Sequence, residues 1–229
     1  MPTIPERLLA VRERITQTAR ACGRDPATVC LVAVSKTRPA EDVRAALAAG
    51  QHDFGENYLQ DALPKIQALS GADIRWHFIG PIQSNKTRDI ARHFDWVHSI
   101  DRIKIAQRLS AQRAPEQAPL QVCLQVNIDA EVSKAGFAPA AVAAAADAIA
   151  LLPQLRLRGL MCIPHPSSDP SGQRAGFAAL RALLTQLQQR HPHLDTLSMG
   201  MSADLEAAIV EGATLVRVGT DIFGPRLSG

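Results

Sequence analysis

The chain has 229 residues, 46% hydrophobic and 21% charged, with 25 Lys and Arg against 22 Asp and Glu and a formal charge of +3. That length supports one core-bearing domain, and basic residues scattered rather than blocked create no demand for nucleic acid or an anionic membrane. No apolar stretch approaches the ~20 residues that cross a bilayer and no secretory h-region opens the chain, so a soluble, cytoplasmic protein is expected. Cys22, Cys30, Cys123 and Cys162 lie far apart, with no CxxC or Cys/His metal spacing, as buried thiols of a reducing compartment would.

In chain order, residues 4–20 place Ile4, Leu8, Val11 and Ile15 among Glu6, Glu13, Arg7, Arg12 and Arg14, which predicts an amphipathic surface helix. Short β-branched runs then alternate with Ala-, Leu- and Gln-rich stretches, the signature of βαβ units. Strands are predicted at 30–35, 53–55, 75–79, 96–99, 121–127, 158–163, 196–199 and 214–218. Pro39-Ala40-Glu41-Asp42 opens a helix that Gly50 closes, and the alanine-rich run 138–152 is a helix stopped by Pro153. The Pro- and Ser-rich stretch 164–172 reads as a βα loop, and 203–211 as a helix. Eight strands, each but the last with a clear following helix, predict a single-domain α/β (β/α)8 TIM barrel over residues 1–229, with an extra N-terminal helix.

On such a barrel the polar residues at strand C-terminal ends share the face where barrel enzymes keep their sites. These are Lys36, Glu56, Asn57, His77, Asn127, the loop after Met161, Ser198 and Arg217. Lys36 ends the apolar run Cys30-Leu31-Val32-Ala33-Val34-Ser35. Burial there would lower its pKa and suit it to attack an aldehyde and form a Schiff base. A snorkelling strand-end lysine explains the residue alone equally well. Asn57 reads alternatively as a helix start, and Ser202 as an N-cap.

Ser198-Met199-Gly200-Met201-Ser202 leads into a helix whose amides suit a phosphate, and Gly219 and Thr220 add a close backbone approach and a hydroxyl after the last strand. Arg217 alternates with Val216 and Val218, which points it into the barrel. Its partner there is either an interior carboxylate such as Glu56 or a ligand ring atom. An aldehyde-seeking lysine, a phosphate cradle and an inward arginine match the handles of pyridoxal 5'-phosphate.

The segments Val32-Ala33-Val34-Ser35-Lys36-Thr37, Phe54-Gly55-Glu56-Asn57-Tyr58, Trp76-His77-Phe78-Ile79-Gly80-Pro81, Gly159-Leu160-Met161, Ser198-Met199-Gly200-Met201-Ser202 and Val216-Arg217-Val218-Gly219-Thr220 occur in that order. Together they resemble the pyridoxal phosphate homeostasis proteins (YggS/PROSC family), from about residue 7 to residue 227. The resemblance implies a barrel of the alanine-racemase N-terminal-domain type, with Lys36 as the imine-forming lysine and Arg217 on the pyridine nitrogen. It further implies Ser202, Gly219 and Thr220 around the phosphate, Asn57 and Met161 near the ring, and Met199 and Gly200 in the adjoining loop. His77 transfers more weakly, either as a site residue or as an organiser of the loop that follows it, and Lys134 matches a loop lysine of the family, read as a solvated charge rather than a second cofactor site. Arg38 stands where many relatives carry lysine.

An arginine at the pyridine nitrogen disfavours its protonation and makes the ring a poorer electron sink. Racemisation needs acid and base groups on both faces of the substrate carbon. This chain has one tyrosine, Tyr58, and ends soon after the last barrel elements. The expectation is a monomeric protein that holds the cofactor for buffering or for delivery to apo-enzymes, with a racemase-like enzyme as the alternative. A cofactor-free Schiff-base aldolase would leave Arg217 and the phosphate loops unexplained.

Overall fold

The computed structural model describes residues 2–131, 134–165 and 169–225. Residues 166–168 of the 164–172 loop and position 227, where the family resemblance ends, lie outside the described residues. Eight parallel strands close into a barrel in sequence order: β1 Cys30–Val34, β2 Asp53–Glu56, β3 Arg75–Phe78, β4 Trp96–Ile100, β5 Leu120–Gln125, β6 Leu155–Met161, β7 Thr196–Ser198 and β8 Leu215–Val218. The seam pairs Val32 with Arg217 and Ala33 with Val218.

The leading helix, α1 (Ile4–Ala21), begins at a capping box. Glu6 accepts from the Thr3 backbone at 2.7 Å, while Thr3 Oγ1 accepts from the Glu6 amide. Its buried stripe of Leu8, Val11, Ile15 and Ala19 follows helical spacing. The helices between strands are α2 (Ala40–Ala48), α3 (Leu59–Ala68), α4 (Thr87–His93), α5 (Ile103–Gln112), α6 (Val142–Ala150), α7 (Pro170–Gln188) and α8 (Leu205–Val210), and α9 (Thr220–Phe223) follows β8. α1 packs on α2, α8 and α9, and so braces both sides of the seam.

Several elements are shorter than the sequence pattern predicts. The run 138–152 is helical as α6 only from Val142, with a single tighter turn at Pro139–Ala141 before it. The helix expected at 203–211 is α8, six residues long. In both cases the first residues are spent turning the chain out of the preceding strand or loop, and hydrophobic periodicity does not register that cost. The last strand is followed by a helix after all, though one of four residues.

Burial separates two environments. The main apolar core lies between sheet and helices and includes Leu31, Ala33, Phe54, Phe78, Val97, Ile100, Val216 and Val218. The buried polar side chains His77, His98, Ser198 and Arg217 occupy the strand positions that this cluster leaves to the barrel interior. Strands β6 and β7 meet closely at Gly159, where an added Cβ would lie 1.9 Å from Thr196 O. Gly159→Ala is therefore expected to force the two strands apart at a cost of about 3 kcal/mol, the upper end for overpacking. A urea midpoint equal to wild type would show that the wall yields there.

Candidate functional site

β1 ends at Val34 and the chain turns at once. The Ser35 amide donates to Gly55 O at 3.0 Å and the Arg38 amide returns to Ser35 O at 3.1 Å, so Lys36 and Thr37 form the turn. Thr37 has φ 63°. A β-branched residue in that left-handed region costs roughly 1–3 kcal/mol and persists only where its surroundings over-determine it. Here they do. Ser35 Oγ donates to Glu56 Oε1 at 2.6 Å, Lys65 Nζ donates to Ser35 O at 2.8 Å, and Lys65 also pairs with Glu56. On the other side Arg38 donates to Gly224 O and Pro225 O, both at 2.6 Å.

Half-buried Lys36 lines a cavity of about 320 Å³ at the C-terminal mouth of the barrel, near the lower end of the range typical of small-molecule pockets, roughly 300–1,000 Å³. Its polar lining also includes Arg38, Asn57, Ser202, Arg217, Gly219 and Thr220, and its apolar wall is Val34, Ile79, Ile163, Met201 and Phe223. Two larger clefts, about 410 and 450 Å³, lie at the opposite mouth around Asp53 and Arg75, and of the expected site-face residues only His77 is among their lining.

Arg217 is 4% exposed and donates to Ser198 Oγ at 2.6 Å and to Cys162 O at 3.1 Å. Burial presses its guanidinium pKa below the ordinary value. The ion pair with Glu56 that the sequence left open is not formed. α3 follows β2 directly and lays Lys65 over Glu56, whereas β1 stands between β2 and β8. Among the described residues no carboxylate pairs with Arg217, so this buried charge retains donor capacity toward the cavity.

Asn57 does not cap α3. Tyr58 occupies the N-cap without a side-chain bond, and Asn57 Oδ1 is buried with no hydrogen-bond partner. Ser202 is likewise no N-cap, because Asp204 holds that position in α8 and accepts from the Met201 amide at 2.6 Å. Ser202 instead joins Gly219 and Thr220 on the cavity rim. A Cβ at Gly219 would stand 3.1 Å from Val34 O, so a side chain there would press on the end of the first strand.

Arg14 of α1 ties this rim together, at 3.1 Å from Ser202 O, 2.6 Å from Asp221 and 2.8 Å from Glu206. Nothing in the sequence distinguishes Arg14 from the other basic residues of an amphipathic helix. The bracing lysine, Lys65, is equally silent, although a buried position on the sheet-facing side of α3 would have marked it.

Met161, Ser198, Met199 and Gly200 do not line the cavity. They form the layer behind it. Met161 pairs with Ser198 in register, Ser198 holds the Arg217 side chain, and Gly200 O accepts from the Arg217 amide at 3.0 Å. Ile163, two residues beyond Met161, supplies the wall instead. His77 lies apart from the cavity, fully buried between Asp53 and His98, and organises barrel interior rather than its own loop. Lys134 pairs with Asp129 at 2.9 Å and Glu131 at 2.6 Å in the loop that Asn127 folds through bonds to Glu131 O and Lys134 O. Cys123 and Cys162 are fully buried, with thiol pKa values pushed up to about 12, and all four cysteines are free.

The sequence profile described as alanine racemase, N-terminal domain, matches residues 7–226. A pyridoxal phosphate homeostasis protein of Pseudomonas aeruginosa is 61% identical over 99% of this chain and 97% of its own length. Its counterpart in Escherichia coli is 50% identical over 99% of this chain and 98% of its own length. The solved structure of PipY from Synechococcus elongatus with PLP bound superposes at a TM-score of 0.84 with 39% identity, covering 97% of this chain and all of PipY. With these identities sustained over essentially the whole length, the chain belongs to the pyridoxal phosphate homeostasis proteins of the alanine racemase N-terminal domain family.

Proposed function

We propose that this protein binds pyridoxal 5'-phosphate in the Lys36 cavity and serves cofactor homeostasis, by buffering PLP or delivering it to apo-enzymes. The observation that carries the reading is the convergence in one cavity of a strand-end lysine, a buried arginine with no carboxylate partner among the described residues, and a small-residue rim. The orphaned Asn57 Oδ1 fits the same group, since a buried acceptor without a partner is one that a polar ligand satisfies.

When bound, the cofactor supplies an aldehyde that bonds reversibly to an amine. Lys36 carries that amine on a turn braced by Ser35, Glu56 and Lys65. Arg217, a donor-only group, would face the ring nitrogen and leave it an acceptor. Ser202, Gly219 and Thr220 would hold the phosphate, and Arg14 offsets the nearby Asp221 and Glu206 that would repel it. Asn57 would lie beside the ring. Met161, Ser198, Met199 and Gly200 support Arg217 from behind.

A carrier rather than an enzyme is favoured by what faces the cavity. Apart from Lys36, its titratable lining among the described residues is arginine. Proton transfer on both faces of a substrate carbon needs groups that give and take protons near neutral pH, and guanidinium does neither. Tyr58 is 47% exposed and lies outside the lining. Four free cysteines fit a reducing cytoplasm, and we read the working form as a monomer, in which each cavity is complete in one chain.

Three measurements test this. Lys36→Ala should remove the visible absorbance of the PLP-loaded protein while circular dichroism stays native, and borohydride reduction followed by mass spectrometry should place the adduct on Lys36. An adduct on another lysine alone would overturn the assignment. PLP should raise the melting temperature well above the shift given by unphosphorylated pyridoxal, because only ligands that favour the native state stabilise it. Arg14→Gln should narrow that difference, and equal shifts for the two ligands in wild type would remove the phosphate rim. Racemase, transaminase and decarboxylase assays over an amino-acid panel should show negligible turnover, while holo-protein reactivates an apo-enzyme. Turnover abolished by Lys36→Ala would restore the enzyme.

A further inference from the structure

We infer that Asp53, His77, His98 and Ser198 are positioning residues for Arg217, forming a one-directional hydrogen-bond relay through the barrel that holds both histidines neutral with their protons on Nε2. The inference rests on reading Arg217 as a cofactor contact. Four contacts make the chain continuous: Arg217 to Ser198 Oγ at 2.6 Å, Ser198 Oγ to His98 Nδ1 at 2.6 Å, His98 Nε2 to His77 Nδ1 at 2.9 Å, and His77 Nε2 to Asp53 Oδ1 at 2.9 Å. β4 and β7 are separated around the wall by β5 and β6, so the His98–Ser198 bond crosses the interior. The far end, Asp53, belongs to the opposite mouth of the barrel, where Arg75 grips it at 2.7 and 2.6 Å.

The ends dictate the direction. Guanidinium only donates and an ionised carboxylate only accepts. Burial opposes ionisation of Asp53, but bonds from Arg75 and His77 outweigh it and hold its pKa well below the usual carboxylate range. A neutral His77 must therefore donate from Nε2, which leaves its Nδ1 as an acceptor. His98 then donates from Nε2 and accepts at Nδ1, and Ser198 turns its hydroxyl proton toward His98 and a lone pair toward Arg217. Each link has one permitted orientation, and bonds so aligned polarise one another.

The surroundings of His98 favour a neutral ring. Both histidines are fully buried, and burial, with the Arg217 guanidinium acting in the same direction, holds the His98 pKa well below 6.5. His77 stacks on Trp96 with ring centroids 5.6 Å apart, and Arg158 covers that indole at 5.1 Å. For Arg217 the result is an oriented acceptor on one side, so its remaining donors face the cavity.

Ring nitrogen–proton NMR spectra of the full-length PLP-loaded protein near neutral pH read the relay without any substitution. Both His77 and His98 should appear as neutral Nε2–H tautomers, and Ser198→Ala should move the His98 Nδ1 signal while leaving that tautomer in place. His98→Leu should raise the PLP dissociation constant about tenfold and shift the visible band, and His98→Gln, which can still accept at one end and donate at the other, should restore both. A proton on Nδ1 of either ring, or a His77 imidazolium, would overturn the relay even if His98→Leu fails to fold. So would unchanged binding and an unchanged band in folded His98→Leu, when Arg217→Leu weakens PLP. If Arg217→Leu itself leaves PLP binding intact, the cofactor reading of Arg217 fails and the relay loses its purpose with it.

Discussion

A guanidinium enclosed by a parallel barrel, with no carboxylate among the described residues to neutralise it, is the constraint on which the rest of this structure turns. Removing an ion from water costs several kcal/mol unless hydrogen bonds replace the lost hydration. The barrel meets that cost partly with Ser198 Oγ and Cys162 O and leaves the remaining donors facing a cavity. Glu56 would have satisfied Arg217 internally and closed the question. Instead Lys65 occupies Glu56, and that buried pair stabilises the turn bearing Lys36. Two basic residues are thus assigned different tasks by one helix placed over one strand end.

Much of the fold was legible because it rests on periodicities that a single sequence exposes. β-branched runs spaced by amphipathic stretches mark the eight strands, and Val216-Arg217-Val218 shows the alternation that sends one residue inward and its neighbours into the apolar layer. Legibility ended where tertiary packing chose among local options. Asn57 and Ser202 have the chemistry of caps, but the caps are Tyr58 and Asp204, because the loops bend to bring those two polar side chains to the cavity. His77 looks like a strand-end site residue in sequence. Its register opposite Trp96 sets it deeper, against Asp53 and His98, and only the coordinates reveal a partner 21 residues away.

The N-terminal helix shows a different kind of invisibility. Its apolar stripe is plain in the sequence and explains its packing, but Arg14 lies on the flank of that stripe and acts on elements some 190 residues later in the chain. A residue whose contribution is to screen Asp221 and Glu206 has no local pattern to announce it. The rim of the cavity is consequently braced from the first helix across to the last strand and helix, and the middle of the chain adds only Ile79 and Ile163 to the wall.

Arg38 gives that arrangement a kinetic meaning. Its bonds to Gly224 O and Pro225 O join the turn after the first strand to the segment after the last helix, contacts spanning 186 and 187 positions. Loop-closure entropy opposes contacts of such separation until the intervening chain has already condensed. The seam between β1 and β8 is therefore expected to close late in folding, and the cavity, built on that seam, exists only once the ring is shut. A ligand that recognises the cavity recognises the completed barrel, so its binding signal serves as a clock for ring closure, separate from the earlier acquisition of helix and sheet.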